Sequence, residues 1–254
     1  MDSDSEHRKL HAEHTPEAVA ERLSAGHVPS YLRDFVYGGI DGCVTTFAIV
    51  AGAIGAGFSS GVILILGFAN LLADGFSMAV SNYLATKAEG QLLHRARMEE
   101  ETHVDVVPEG EREEIRRIFE QKGFEGELLD KVVDVITADR TLWIDTMLRE
   151  ERGLSLVQVS PWKAGWVTFV AFSAIGLIPI LPFVAQYIMS LPNSPVRATS
   201  LILTAVSFFA VGAMKSRYVA ESWQRAGTET LLMGSVAAAL AYIVGLLLRS
   251  FIAV

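Results

Sequence analysis

The chain alternates between long apolar stretches and charged ones with helical spacing. Five stretches are apolar over enough residues to cross a bilayer core of about 30 Å, which takes roughly 20 residues of helix. They are residues 34–58, 62–85, 164–189, 201–218 and 231–251. Only "SSG" separates the first two, so they form a tight helical hairpin. Ser160-Pro161 opens the third as N-cap and first helical residue, and Ser194-Pro195 precedes the fourth in the same way. Pro179 and Pro182 predict a break inside the third. Five spans, an odd number, put the termini on opposite sides of the membrane.

The segment between the second and third spans is polar but helical. "KAEGQLLHRARMEEETH" extends the second span as one long helix. "PEGEREEIRRIFEQKGF" starts near Pro108, ends at Gly123, and sets Ile115, Ile118 and Phe119 at helical spacing. "GELLDKVVDVITAD" and "RTLWIDTMLREERG" read as two further amphipathic helices, the second stopped by Gly153. Ahead of the first span, Thr15 and Pro16 open a short surface helix in "HTPEAVAERL". The N-terminal run is polar, His-rich and without the apolar core of a signal peptide. The expected fold is an all-α membrane protein. It divides into a cytoplasmic segment 1–33, spans one and two in 34–86, a helical metal-binding domain in 87–160, and spans three to five in 161–254.

Charge sets the orientation. Arg8, Lys9, Arg22 and Arg33 precede the first span, Arg95, Arg97 and Arg112 lie in the insert, and Lys215, Arg217 and Arg225 flank the turn between spans four and five. The opposite turns hold no charge at 58–61 and Arg197 near the other. The positive-inside rule then makes the N-terminus and 87–160 cytoplasmic and the C-terminus external, as in a bacterial plasma membrane. A net charge of −8 argues against nucleic acid as a partner. Cys43 is the single cysteine, which excludes a disulfide framework and a thiolate metal cluster.

Several polar residues fall at membrane depth, where a carboxylate at a helix centre costs about 2.5–3.5 kcal/mol on insertion scales. Asp34, Gly38 and Asp41 share one face of the first span; Asn70, Asp74, Met78 and Asn82 recur at steps of four on the second. Carboxylates, amides and a thioether facing one cleft suit a divalent transition metal better than Ca²⁺ or Mg²⁺. Gly38, Gly42, Gly52 and Gly55–Gly57 give small-residue faces of the kind that bring helices close, and a homodimer is expected from them. A second cluster lies in the insert. Glu99, Glu100, Glu101 and His103 end the long helix, Glu109, Glu111, Glu113 and Glu114 begin the next, and Met147, Glu150 and Glu151 lie on the last. Acids with an imidazole and a thioether can hold Fe²⁺, Mn²⁺ or Zn²⁺. All six histidines (7, 11, 14, 27, 94 and 103) fall in cytoplasmic parts; His7, His11 and His14 are read as a disordered tail.

"YLRDFVYGGIDGCVTTFAIVAGAIGAG", then "GFSMAVSNYLATKAE", then a charged insert ending "DTMLREERGL" and three more spans, together resemble the vacuolar iron transporter family. The resemblance runs from about residue 31 to the C-terminus. It implies a dimeric, five-span, proton-coupled exporter of divalent metal, with a cytoplasmic metal-binding domain between spans two and three. The family's membrane-embedded acid and methionine fall on Asp41 and Met78, and its earlier acid on Asp34. Its cytoplasmic ligands fall on Glu100, His103, Glu111, Glu114, Met147 and Glu151. Three positions depart from the pattern: His103 replaces a glutamate, Leu148 a second methionine, and Asn82 an acid.

The resulting expectation is a secondary transporter, not an enzyme. Asp34, Asp41, Asp74, Met78 and Asn82 line the pathway, and Asp41 and Met78 coordinate the ion. Its partners are divalent metal, protons, the lipid bilayer and a second copy of the chain, with no permanently bound cofactor. A ferritin-like di-iron oxidase is the alternative, cued by Glu100-x-x-His103, but it wants a second such pair that the chain lacks. A membrane-anchored metal sensor is the other; an anchor has no use for acids inside its spans.

Overall fold

A computed structural model describes residues 3–24, 29–190, 192–216 and 221–252. The elements, in order, are α1 (Ser3–Glu13), α2 (Pro16–Ser24), α3 (Leu32–Ala56), α4 (Ser60–Val106), α5 (Pro108–Gln121), α6 (Gly126–Ala138), α7 (Arg140–Glu150) and α8 (Pro161–Gly176). A single 3-10 turn (Ile178–Ile180) follows, then α9 (Leu181–Met189), α10 (Asn193–Lys215) and α11 (Trp223–Ile252). Five segments are long and apolar enough to cross a membrane: Leu32–Ala56, Ser60–Val106, Pro161–Met189, Pro195–Lys215 and Trp223–Phe251. The protein is an all-α membrane protein. Its chain forms two compact units, one from Met1–Ser30 with Gly90–Val159, the other from Tyr31–Glu89 with Ser160–Val254.

In the apolar unit, α3 is the helix against which α8 and α11 pack. Lipid tails are as apolar as leucine, so association of spans relies on close van der Waals contact. The glycines of α3 supply it. A Cβ added at Gly42 would lie 2.3 Å from the Phe172 carbonyl oxygen on α8, and one at Gly55 would lie 2.4 Å from that of Tyr242 on α11. The partners reciprocate, since Gly176 and Gly245 meet the carbonyl oxygens of Gly42 and Gly52. These faces therefore join helices of one chain, and they are not a free surface awaiting a second copy.

Proline breaks the third span as expected. The 3-10 turn holds Pro179, α9 carries Pro182 in its first turn, and Ser200 Oγ donates to the Pro179 carbonyl at 2.6 Å. That bond repairs an acceptor the broken ladder leaves in a dry environment. Gly57, with φ of 80°, ends α3 by placing its own N–H on Ile54 O and that of Phe58 on Ala53 O. α10 and α11 both begin eight residues ahead of the expected spans. In the added turns Thr199, Thr228 and Thr230 each donate to the carbonyl four residues back, and Thr204, Ser207 and Ser235 do the same further along, which hides their polarity within the helix. Ser160 makes no side-chain cap, and α10 starts at Asn193, so Pro195 sits inside its first turn, where no N–H is required. Tyr218 and Arg217 lie outside the described residues.

The charged unit has an apolar core of the kind found in proteins surrounded by water. Leu93, Ala96 and Val104 of α4 meet Ile115 of α5, Leu129, Val133 and Ile136 of α6, and Trp143, Ile144, Met147 and Leu148 of α7. Asp139 caps α7 by accepting from the N–H groups of Thr141 and Leu142 at 2.8 and 3.1 Å. Thr15 caps α2 as expected. The histidine tail is helical, a correction. α1 carries His7 and His11, and His14 just beyond it bonds the Leu10 carbonyl through Nδ1 at 2.8 Å. No glycine or proline interrupts that stretch. His27 lies outside the described residues.

Replacing Gly42 by Ala should destabilise the protein by about 1–3 kcal/mol through overpacking. At Gly90, in mid-helix with nothing within 4 Å of an added Cβ, the same change should stabilise by about 0.5–1 kcal/mol. Thermal unfolding in detergent reads both, and equal signs would refute the close-contact account.

Candidate metal sites

The polar positions of α3 and α4 meet side chain to side chain. Asn70 donates through Nδ2 to Thr45 and Thr46 Oγ1 at 3.2 and 3.3 Å, and Thr45 in turn donates to the Asp41 backbone carbonyl at 2.9 Å. Three turns further along α4, Asn82 Nδ2 donates to Asp34 Oδ1 at 3.0 Å and to Thr168 Oγ1 of α8 at 2.7 Å. Thr168 gives its own proton to the Ala164 carbonyl, so its lone pair is open to the amide. The regular step of four on α4 thus becomes a face turned to α3.

Around the Asn82–Asp34 bond lies a cavity of about 450 Å³ lined by Arg33, Asp34, Tyr37, Met78, Ser81, Asn82 and Ala85. It unites three of the expected pathway residues: Asp34, Met78 and Asn82. Asp41 and Asp74 do not line it. They lie within electrostatic reach of one another and are half-buried, on α3 and α4 respectively. The polar positions therefore fall at two levels, one around Asp34 and one around Asp41. Sequence reasoning missed Thr168 and the threonine pair at 45 and 46. Their only signal was a hydroxyl inside an apolar span, and most such hydroxyls bond their own helix.

In the charged unit, Glu100 and His103 of α4 and Glu111 of α5 each bring one ligand atom within 4.8 Å of the others. Glu100 is fully buried and Glu111 nearly so. His103 Nδ1 is 3.3 Å from Glu111 Oε1. Arg152 is the neighbouring cation; its Nε donates to Glu100 Oε1 at 2.5 Å and its Nη1 to Glu99 at 2.8 Å. The second oxygens of Glu100 and Glu111 are buried with no hydrogen-bond partner among the described residues. Orphaned carboxylate oxygens beside an imidazole are what a divalent cation satisfies. Met147 is fully buried, and so is Leu148, where the family has its second methionine; both belong to the apolar core.

Electrostatics tie in the remaining acids. Burial, then the charges of Glu114 and Glu100, push Glu111 up to about 7, with His103 opposing. Glu151, at the exposed rim, is raised by partial burial and by Glu100 and Glu114. The six expected ligands thus divide into a tight trio, Glu114 and Glu151 coupled to it by charge, and Met147 beneath. His7, His11 and His14 gather in no such group among the described residues.

A raised carboxylate has a definite sign. Between the ordinary 4.5 and about 7 the folded protein holds a proton on Glu111 that the unfolded chain has released, so stability falls across that window and levels off above it. In chelator-treated full-length protein, Glu111→Gln should match the parent at pH 5 and exceed its thermal midpoint by several degrees at pH 8. Parallel pH profiles would mean Glu111 ionises without penalty.

A profile of the VIT family matches residues 32–246. The chain is 32% identical to the vacuolar iron transporter of Toxoplasma gondii over 225 residues, 86% of this chain and 74% of that protein. It is 31% identical to vacuolar iron transporter 1 of Oryza sativa subsp. japonica over 230 residues, 90% and 87% of the two chains. With vacuolar iron transporter 1 of Arabidopsis thaliana it shares 30% over 226 residues, 87% and 86%. The matched region includes the α3–α4 polar face and the Glu100–His103–Glu111 trio, and on that extent the chain belongs to the VIT family.

Proposed function

We propose that the protein is a proton-coupled antiporter that exports a divalent transition metal, Fe²⁺ and also Mn²⁺, from the cytosol. One observation carries the reading. Half-buried Asp34, Asp41 and Asp74 and the thioether of Met78 lie on α3 and α4, two helices long and apolar enough to span a membrane. Acids in such helices are expensive unless a cation or a proton periodically neutralises them. The relatives' names, vacuolar iron transporters, supply the cargo class.

In this reading the charged unit is cytoplasmic and captures the ion with Glu100, His103 and Glu111, helped by Glu114, Glu151 and Met147. Asp41 and Met78 then coordinate it within the spans, and Asp34, Asp74 and Asn82 line its way. Carboxylates bind metal only when ionised, so loading displaces protons and protonation from the far side favours release. That competition is the coupling. A homodimer fits the same logic, because a second copy over the open face of α3 and α4 would keep their carboxylates from acyl chains. The orientation follows the basic residues: N-terminus inside, C-terminus outside, in a bacterial plasma membrane.

In proteoliposomes loaded with a pH-sensitive dye, Fe²⁺ entry should drive proton counterflow. Asp41→Asn should cut both fluxes at least tenfold while leaving the elution profile unchanged. Undiminished flux would remove Asp41 from the pathway. Iron oxidation in detergent with no vesicle uptake would instead favour the di-iron oxidase.

A further inference from the structure

A groove of about 480 Å³ runs between α4 and α8, separate from the polar cavity. Its floor is a close approach of the two helices, where a Cβ on Gly165 would sit 2.9 Å from the Ala79 carbonyl oxygen. Its walls are Phe76, Val80 and Tyr83 on one side and Trp162, Trp166 and Phe169 on the other. The rings form a continuous edge-to-face run: Tyr83 to Trp162 at 6.0 Å, Trp162 to Trp166 at 6.3 Å and Trp166 to Phe169 at 6.0 Å. Phe76 and Trp162 are each about two-thirds exposed, so nothing among the described residues covers them (64% and 66%).

The groove has a polar end. Tyr83 pairs with Trp162 there, and the two lysines nearest in sequence, Lys87 and Lys163, lie at that same end of the antiparallel pair. Lys87 Nζ stands 5.9 Å from the centre of the Tyr83 ring, directing its charge toward the groove. Among the described residues neither lysine is held in an ion pair, and the indole N–H groups of Trp162 and Trp166 have no acceptor. Glu89, two residues beyond Lys87, is turned about 200° around the helix, on the far side. A slot floored by small residues and walled by rings suits an acyl chain. The Lys87 ammonium and the Trp162 indole, which meets Tyr83 at that end, with Lys163 next along α8, suit a phosphate diester with its ester oxygens.

We propose that this groove is a binding site for one anionic glycerophospholipid, its acyl chain between α4 and α8 and its phosphate at Lys87 and Lys163. The charges argue against a second copy of the chain as occupant. A two-fold contact centred here would bring four unpaired lysines together. The site is independent of the metal reading, since neither lysine lines the polar cavity or belongs to the trio.

Native mass spectrometry of the full-length protein tests it, with phosphatidylglycerol and phosphatidylcholine of identical chains offered in equal amounts. The parent should retain phosphatidylglycerol several-fold better. Lys87→Gln with Lys163→Gln should abolish that preference, and Val80→Trp, which fills the slot, should lower retention of both lipids. Should the glutamine pair fail to fold, Lys87→Arg with Lys163→Arg must keep the preference. Equal retention of the two lipids by the parent would overturn the proposal, as would a preference that survives the glutamine pair. So would a Val80→Trp protein that keeps its lipid undiminished.

Discussion

Direct contact between peptide backbones is the constraint from which the membrane-spanning unit follows. In hydrocarbon, the exclusion of apolar surface from water cannot hold two helices together, so contact must be close enough for dispersion to do it. The glycines of α3 permit that on two flanks, toward α8 and toward α11. With those flanks fixed, the remaining polar face of α3, with Asp34, Asp41 and Thr45, has a single neighbour to address, and α4 answers it with Asn70 and Asn82. The polar cavity is a by-product of which sides of α3 were already taken.

The charged unit is built by the opposite rule. There water is available, and a core of leucine, isoleucine, valine and tryptophan closes four helices in the usual way. What is unusual is the charge carried to its interior. Glu100 and Glu111 are buried beside one another with only one of them against an arginine. Burying like charges works against folding, and proteins keep such arrangements where a cation is to be bound.

Much of this was legible from the chain alone. Long apolar runs marked all five spans because hydrocarbon thickness dictates their length. The continuous α4 was visible because no proline interrupts "KAEGQLLHRARMEEETH", and its one glycine, Gly90, stands alone among good helix formers. Helix starts were less visible. α10 and α11 begin earlier than their hydropathy does, because the added turns hold Arg197, Arg225 and Glu229 beside hydroxyls bonded to their own helix, and a helix runs on past its apolar part. The acids of the trio could be named, yet their closeness could not. It depends on how α5 folds back on α4, which is a matter of packing around Ile115. The glycine faces were visible as sites of close approach, but their neighbours within the chain, α8 and α11, were not, because a small residue advertises close approach without saying to what.

The self-bonded hydroxyls of α10 and α11 have a wider effect. Thr204, Ser207, Thr228, Thr230 and Ser235 have each given their proton to their own helix and keep lone pairs alone. They can accept but no longer donate, so these two helices have no hydroxyl proton to offer an anion. Their polarity is one-signed, which is the same sign that the carboxylates of α3 and α4 present.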